Sequence, residues 1–365
     1  MTSAARALAV LAKEETEPFL RGIQNLDPVV VCLSAENQLA ARMEAASCLA
    51  TCLQNSSAAY AAQIYGSLHK PHLIRLLIEL CLCPGFGGVH ALAKEKAALC
   101  LFYMTQFDEI KPLFNDCKGV QAVANVIIDP FVELAGKAYA AGTLYNVLTP
   151  KLVRRDLTTI TEGAAAVETT MPVHANALIE AADQEPVAFQ GIQREALMKI
   201  IKSIVGANLI SPLLQLCCGP EGPPQKSDRA MSAPAGGKKG KKGKKGKKGK
   251  KSKKAKLTAG MAEAQFFGAG CLRHISHYES YRVSLVEADG ERYIIPLLGS
   301  KVPKIRWHAR AILLNLLKTT PSSHGRMLQF GAPKIYCNLS QPLVPKTRPS
   351  TAPVTHIRRN LQAQF

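Results

Sequence analysis

The sequence has no uninterrupted apolar run of about eighteen residues. Its most hydrophobic stretch, LIRLLIELCLCPGF, is broken by Arg75, Glu79 and Pro84, so no transmembrane helix is expected. The opening MTSAARALAVLAKEETEPF has neither a basic leader nor a continuous apolar core, so no signal peptide is expected. Strand signals are scarce, and tryptophan occurs once, at Trp307. Neither G-x-S-x-G nor H-E-x-x-H occurs. The glycines of the lysine-rich stretch GKKGKKGKKGKKGKKSKKAK lie three apart, whereas a phosphate loop needs them five apart after a strand. His69 and His72 precede Cys81 and Cys83, and His274 lies one turn from His277. The cysteines sit among apolar helical positions and the histidine pair has only Glu279 near it, which disfavours a closed tetrahedral metal site. No catalysis, cofactor or metal is therefore expected.

Charge is also missing from most of the chain. The formal net charge is +19, but thirteen lysines fall within residues 237–256. Without those thirteen the charge is +6. Without the four basic residues of the last 25, Lys346, Arg348, Arg358 and Arg359, it is about +2. A fold built to track a phosphate backbone should carry its basicity on the fold itself. The eleven cysteines are odd in number and scattered through runs such as ASCLATCL. Buried thiols of that kind behave as small hydrophobes, and they suit a reducing compartment. The expected location is cytoplasmic, with nuclear and cytoskeletal or ciliary settings kept open.

What the chain does have is alanine and leucine at helical spacing, as in AARMEAASCLATCL and HARAILLNLLK. Apolar residues at i, i+3, i+4 and i+7 predict an all-α chain. Glycines recur before short apolar helices at Gly22, Gly66, Gly119, Gly163, Gly206, Gly290 and Gly331, at intervals of 44, 53, 44, 43, 84 and 41. The 84 contains the lysine tract, and removing about 40 residues of low complexity restores the period. Each unit reads as a short helix, a glycine corner, a second apolar helix, a turn and a longer Ala/Leu helix. A sharp corner between packed helices needs positive φ or close backbone approach, and glycine allows both. No single unit can bury both faces, so neighbours must stack.

The stretch YRVSLVEADGERYIIPLLGSKVPKIRWHARAILLNLLK (281–318) resembles an armadillo repeat, as does EIKPLFNDCKGVQAVANVIIDPFVELAGKAYAAGTLYNVL (109–148). The unit around 163–205 is degenerate, with Pro172 and Pro186 where helices should run. HEAT repeats share the period with two helices and remain the fold-level alternative. The resemblance implies a right-handed α-solenoid of about seven three-helix repeats with a groove lined by the third helices. Residues 1–218 form its first part, 219–259 a disordered Gly/Lys-rich insert, 260–340 the continuation and 341–365 a disordered basic tail. The insert falls between the second and third helices of one repeat.

In armadillo proteins a third-helix asparagine commonly bonds an extended peptide. The matching positions here hold Thr51, Tyr103, Asn146, His274 and Asn315, all able to hydrogen-bond a backbone amide. Relatives that grip basic peptides use a Trp/Asn ladder. Here Trp307 is followed one turn on by Ala311, which argues against that mode. Arg42, Lys94, Lys96, Lys137, Arg273, Arg306 and Arg310 lie on or near the third helices and would suit an acidic, extended partner. The expected function is a non-catalytic protein-binding scaffold with a partner in the groove. The alternative is a polyanion-binding protein acting through Lys238, Lys239, Lys241, Lys242, Lys244, Lys245, Lys247, Lys248, Lys250, Lys251, Lys253, Lys254 and Lys256. Their partners would be RNA, anionic lipid or acidic protein tails, bound without sequence specificity.

Overall fold

The computed structural model describes residues 27–55, 70–85, 87–149, 192–218, 259–319 and 321–331. Gly22, Gly66, Gly163, the lysine tract and the tail lie outside them. Every regular element among the described residues is helical. In chain order these are α1 (Asp27–Leu33), α2 (Leu39–Asn55), α3 (Lys70–Cys81), α4 (Gly88–Met104), α5 (Ile110–Asp116), α6 (Gly119–Ile128) and α7 (Leu134–Leu148). Then come α8 (Ile192–Gly206), α9 (Ile210–Cys218), α10 (Ala259–Ser276), α11 (Glu279–Glu287), α12 (Gly290–Ile294), α13 (Pro303–Thr319) and α14 (Pro321–Gln329). The helix α12 tightens into a 3₁₀ turn at Ile295–Gly299, with Pro296 at its start, a position where the missing N–H costs nothing. No single helix among the described residues is long and apolar enough to cross a membrane.

Two complete units show the three-helix design directly. α5, α6 and α7 form one; α11, α12 with its 3₁₀ extension, and α13 form the other. The long third helices make one continuous ladder in which α2, α4, α7, α10 and α13 each pack on the next. The second helices α3, α6, α9 and α12 run alongside in the same order. This is an all-α, armadillo-like solenoid with its core between the two ladders. Ala97, Ala98, Ala140 and Ala141 are fully buried; such small side chains let third helices approach closely. Leu101, Phe114, Leu144 and Ile201 fill the space between layers.

The ladder corrects the period read from the sequence. The helices α8, α9 and α10 are the first, second and third helices of one unit, and α10 packs directly on α7. No layer separates them among the described residues. Residues 150–191, which include Gly163, and 219–258 lie outside the described residues. The stack tolerates both lengths of intervening chain because loop-closure entropy grows only slowly with length.

The corners are also built differently from the expectation. Positive φ falls on Lys118 (64°), Asn208 (55°) and Asp289 (56°), the residues that enter the second helices, and not on Gly119, Gly206 or Gly290, whereas Gly331 (81°) has it as expected. What Gly119 and Gly290 provide is close approach. A Cβ on Gly119 would enter the ring of Phe114, and one on Gly290 would lie 2.7 Å from the Leu285 carbonyl oxygen.

Candidate functional site

The third-helix face is where the sequence placed its binding residues, and the structure sorts them into two groups. Asn146, His274 and Asn315 are buried. Asn146 Nδ2 donates to the Phe102 carbonyl at 2.9 Å and lies 3.4 Å from Thr105 Oγ1. His274 Nε2 and Thr149 Oγ1 share a hydrogen bond of 3.2 Å. Asn315 Nδ2 donates to Ser276 Oγ at 3.0 Å. One pattern repeats at three interfaces: a hydroxyl at the end of one third helix meets an amide or imidazole near the end of the next. The expectation that these three groups face a peptide is corrected. They register the layers, because a polar group buried between helices must find a partner there. Cysteines add weaker ties of the same kind. Cys100 Sγ donates to Ala46 O at 3.2 Å and Cys271 Sγ to Ala141 O at 3.4 Å.

Thr51, Tyr103, Trp307 and Arg306 are half-buried and Arg310 is exposed. Thr51 Oγ1 donates back to Ser47 O at 3.0 Å, an ordinary helical hydroxyl contact. Arg306 Nη1 donates to Ser300 O at 2.7 Å and so holds the turn before its own helix. Among the other basic residues, Lys94 is 3% exposed and its ammonium lies 2.8 Å from Asp129 Oδ2. It also reaches the Gly85 carbonyl at 3.3 Å. Asp129 Oδ1 accepts from the Phe131 N–H at 2.9 Å. Burial pushes the Asp129 carboxyl up. The Lys94 hydrogen bond, the Phe131 N–H and the charges of Lys94 and Lys137 outweigh it and hold the group below its ordinary range. Lys94 therefore belongs to the fold and is unavailable to a ligand. Arg42 Nε likewise donates to Leu33 O at 3.1 Å.

The feature the sequence reading missed is aromatic. Phe102 of α4 stands edge-on to Tyr103 at 5.3 Å between centroids and 6.0 Å from Tyr139 of α7. It also meets Phe267 of α10 at 5.3 Å, although α7 lies between their helices. Gly142 makes this possible: a Cβ there would lie 2.7 Å from the Phe102 ring and 3.2 Å from Phe267. Gly270 is a second notch, where a Cβ would be 2.5 Å from the Tyr145 ring. The seam continues from Phe267 to Phe266 at 5.2 Å, to His308 at 5.0 Å and to Trp307 at 4.9 Å. Phe102, Tyr103, Tyr139, Phe266, Phe267 and Trp307 all remain half-buried. They form a contiguous aromatic surface across four third helices. Burial, and then the Glu263 charge, raises the phenols of Tyr103 and Tyr139. Both stay neutral hydrogen-bonding groups at ordinary pH. The available signal was the clustering of the aromatics in LCLFYM, KAYAAGTLY, AQFFGAG and KIRWHA.

At the far end of the seam the Arg273 guanidinium lies over the Trp307 ring, 4.2 Å from its centroid. Lys304 Nζ lies 6.0 Å from the Phe266 centroid. Burial lowers Arg273 to about 10, so it stays charged at neutral pH. Burial, then the charges of Arg273 and Lys304, holds His308 well below its ordinary value and therefore neutral. Among the described residues no three of His, Cys, Asp and Glu come together to hold a metal ion.

No protein-family model matches the sequence, and no curated protein matches it. Solved structures of similar shape include an engineered protein at 14% identity, covering 86% of this chain and 91% of its own, with a TM-score of 0.49. A designed armadillo repeat protein is 12% identical over 86% of this chain and 92% of its own, with a TM-score of 0.48. Another, in complex with the peptide (KR)4, is 11% identical over 85% of this chain and 89% of its own, with a TM-score of 0.46.

Proposed function

We propose that this chain is a non-catalytic scaffold that binds an extended protein segment along its third-helix face. The observation that carries the reading is the half-buried aromatic seam from Tyr103 to Trp307. Contiguous, partly exposed rings on a monomeric surface are the composition of an interface core. Tyr and Trp supply large contact area at low conformational entropy. The cations near the seam, Arg273, Lys304 and exposed Arg310, favour an acidic segment. A photo-crosslinking residue at Tyr139 or Phe266, compared with one at Val283 of α11, tests the reading. Co-purified partner should crosslink from the first two positions. Crosslinks confined to Val283, which is 46% exposed on a first helix, would overturn it.

A second reading rests on a separate observation, the thirteen lysines of residues 237–256. A cationic segment of that charge supports salt-sensitive binding to polyanions. It belongs with a cytoplasmic, nuclear or cytoskeletal setting. Deleting 237–256 should remove RNA binding at low salt and leave the groove partner bound. Loss of every partner on deletion would reverse the ranking of the two readings.

A further inference from the structure

Three basic side chains among the described residues are more than nine-tenths buried: Arg42, Lys94 and Arg273. Arg42 donates through Nε to a backbone carbonyl, although its Nη2 makes no hydrogen bond, and Lys94 donates to Asp129. Arg273 differs. It is 6% exposed, and its Nε makes no hydrogen bond. Its guanidinium lies over the face of Trp307, 4.2 Å from the ring centroid. A ring face attracts a guanidinium but leaves its in-plane N–H donors unsatisfied. Beside it His308, 1% exposed, leaves Nδ1 without a partner. Two buried, unpartnered polar atoms therefore share one aromatic corner at the end of the seam.

Among the described residues the charges around this corner are of one sign. Lys304 acts on His308, and His274 feels Arg273, His277, His308 and Lys111. The remaining titratable neighbour of Arg273 is the phenol of Tyr145. Among the described residues no carboxylate answers the guanidinium. An ion removed from water without a counter-charge is costly, and stable folds pair such groups, as this one does at Lys94. With one face covered by Trp307, the guanidinium has its edge left to offer. That edge matches a planar, singly charged acceptor.

We propose that the Arg273–Trp307–His308 corner is the binding site for a carboxylate side chain, aspartate or glutamate, carried by an extended acidic protein segment lying on the aromatic seam. The carboxylate accepts from the guanidinium edge, and the neutral His308 imidazole donates through Nδ1–H. The proposal rests on the reading of the third-helix face as a binding surface and adds the residue chemistry it selects.

Trp307 is the sole tryptophan of the chain, so its emission reports on this corner directly. The experiment titrates the full chain with an extended peptide alternating glutamate and serine, with its glutamine counterpart and with inorganic phosphate. Labelled-peptide anisotropy is read in parallel. The glutamate peptide should shift Trp307 emission and bind about tenfold or more tighter than the glutamine peptide. Arg273→Met should abolish that difference, and Arg273→Lys should retain part of it. The melting curve of Arg273→Met verifies its fold, and Trp307→Phe read by anisotropy separates the binding from the probe. Equal binding of both peptides to the wild type, or an unchanged preference in Arg273→Met, refutes the carboxylate site but leaves the seam as a peptide surface. Absence of binding by either peptide refutes both the site and the acidic-segment reading. A phosphate response matching that of the glutamate peptide assigns the corner to phosphate and overturns the carboxylate assignment.

Discussion

Lys94 on α4 and Arg273 on α10 are both basic, both on third helices of one stack and both more than nine-tenths buried. One has a carboxylate at 2.8 Å and a carbonyl at 3.3 Å; the other has an indole ring. Burial alone does not tell what a charge is for. A buried cation whose hydrogen bonds close within the fold holds the fold, and one left open is poised for something from outside. Lys94 pins the loop between the second and third helices of its neighbouring unit, through Asp129. Arg273 ends an aromatic seam that remains half exposed.

The largest expected effect lies on the paired side. Lys94→Met leaves Asp129 as an uncompensated buried charge and should lower unfolding free energy by about 3–5 kcal/mol, measured by urea denaturation. Adding Asp129→Leu should recover much of that loss, because the orphaned charge is then gone. A smaller effect should follow from closing the notch that brings the seam together. Gly142→Ala places a Cβ against Phe102 and Phe267 and should destabilise by about 1–3 kcal/mol through overpacking. It should also change the environment of the aromatic seam by near-ultraviolet circular dichroism. Asn146→Ala removes the tie between α4 and α7 and should cost about 1–3 kcal/mol by the same denaturation assay, because a buried partner is left unsatisfied.

The pH dependence sharpens the comparison further. His274 and His308 are held well below the ordinary 6.5, first by burial and then by neighbouring charges that include Arg273 in both cases. As pH falls below about 6.5 the unfolded chain takes up protons that the folded chain refuses, so stability falls with pH. Asp129, depressed from 3.8, adds a second loss in more acidic solution, because its stabilisation is present above its unfolded value and disappears as it protonates. Arg273→Met removes one shared cause of the histidine shifts. Its midpoint in urea should therefore decline less than that of the wild type between about pH 7 and pH 5. An identical decline in the two proteins would show that Arg273 does not act on these imidazoles.

Much of the architecture was legible because it depends on spacing. The glycine corners at Gly119, Gly206 and Gly290 each mark a real second helix. Gly163 shares their period but lies outside the described residues. The lysine tract stands out by composition, whereas residues 150–191 look like ordinary sequence. Asn146, His274 and Asn315 were legible as polar third-helix positions. Their direction was not, because it depends on Thr105, Thr149 and Ser276 arriving from the preceding layer. The seam escaped for a similar reason: Phe102 meets Phe267 through a notch at Gly142, and no local pattern announces that meeting.

The central claim is that Lys94 serves the fold while Arg273 serves a ligand. The most direct measurement is the thermal midpoint of Lys94→Met and Arg273→Met side by side, without any partner. The account predicts a large fall for the first. For the second it predicts no fall, or a rise, since an uncompensated buried charge has been removed. A fall for Arg273→Met as deep as that for Lys94→Met would contradict it.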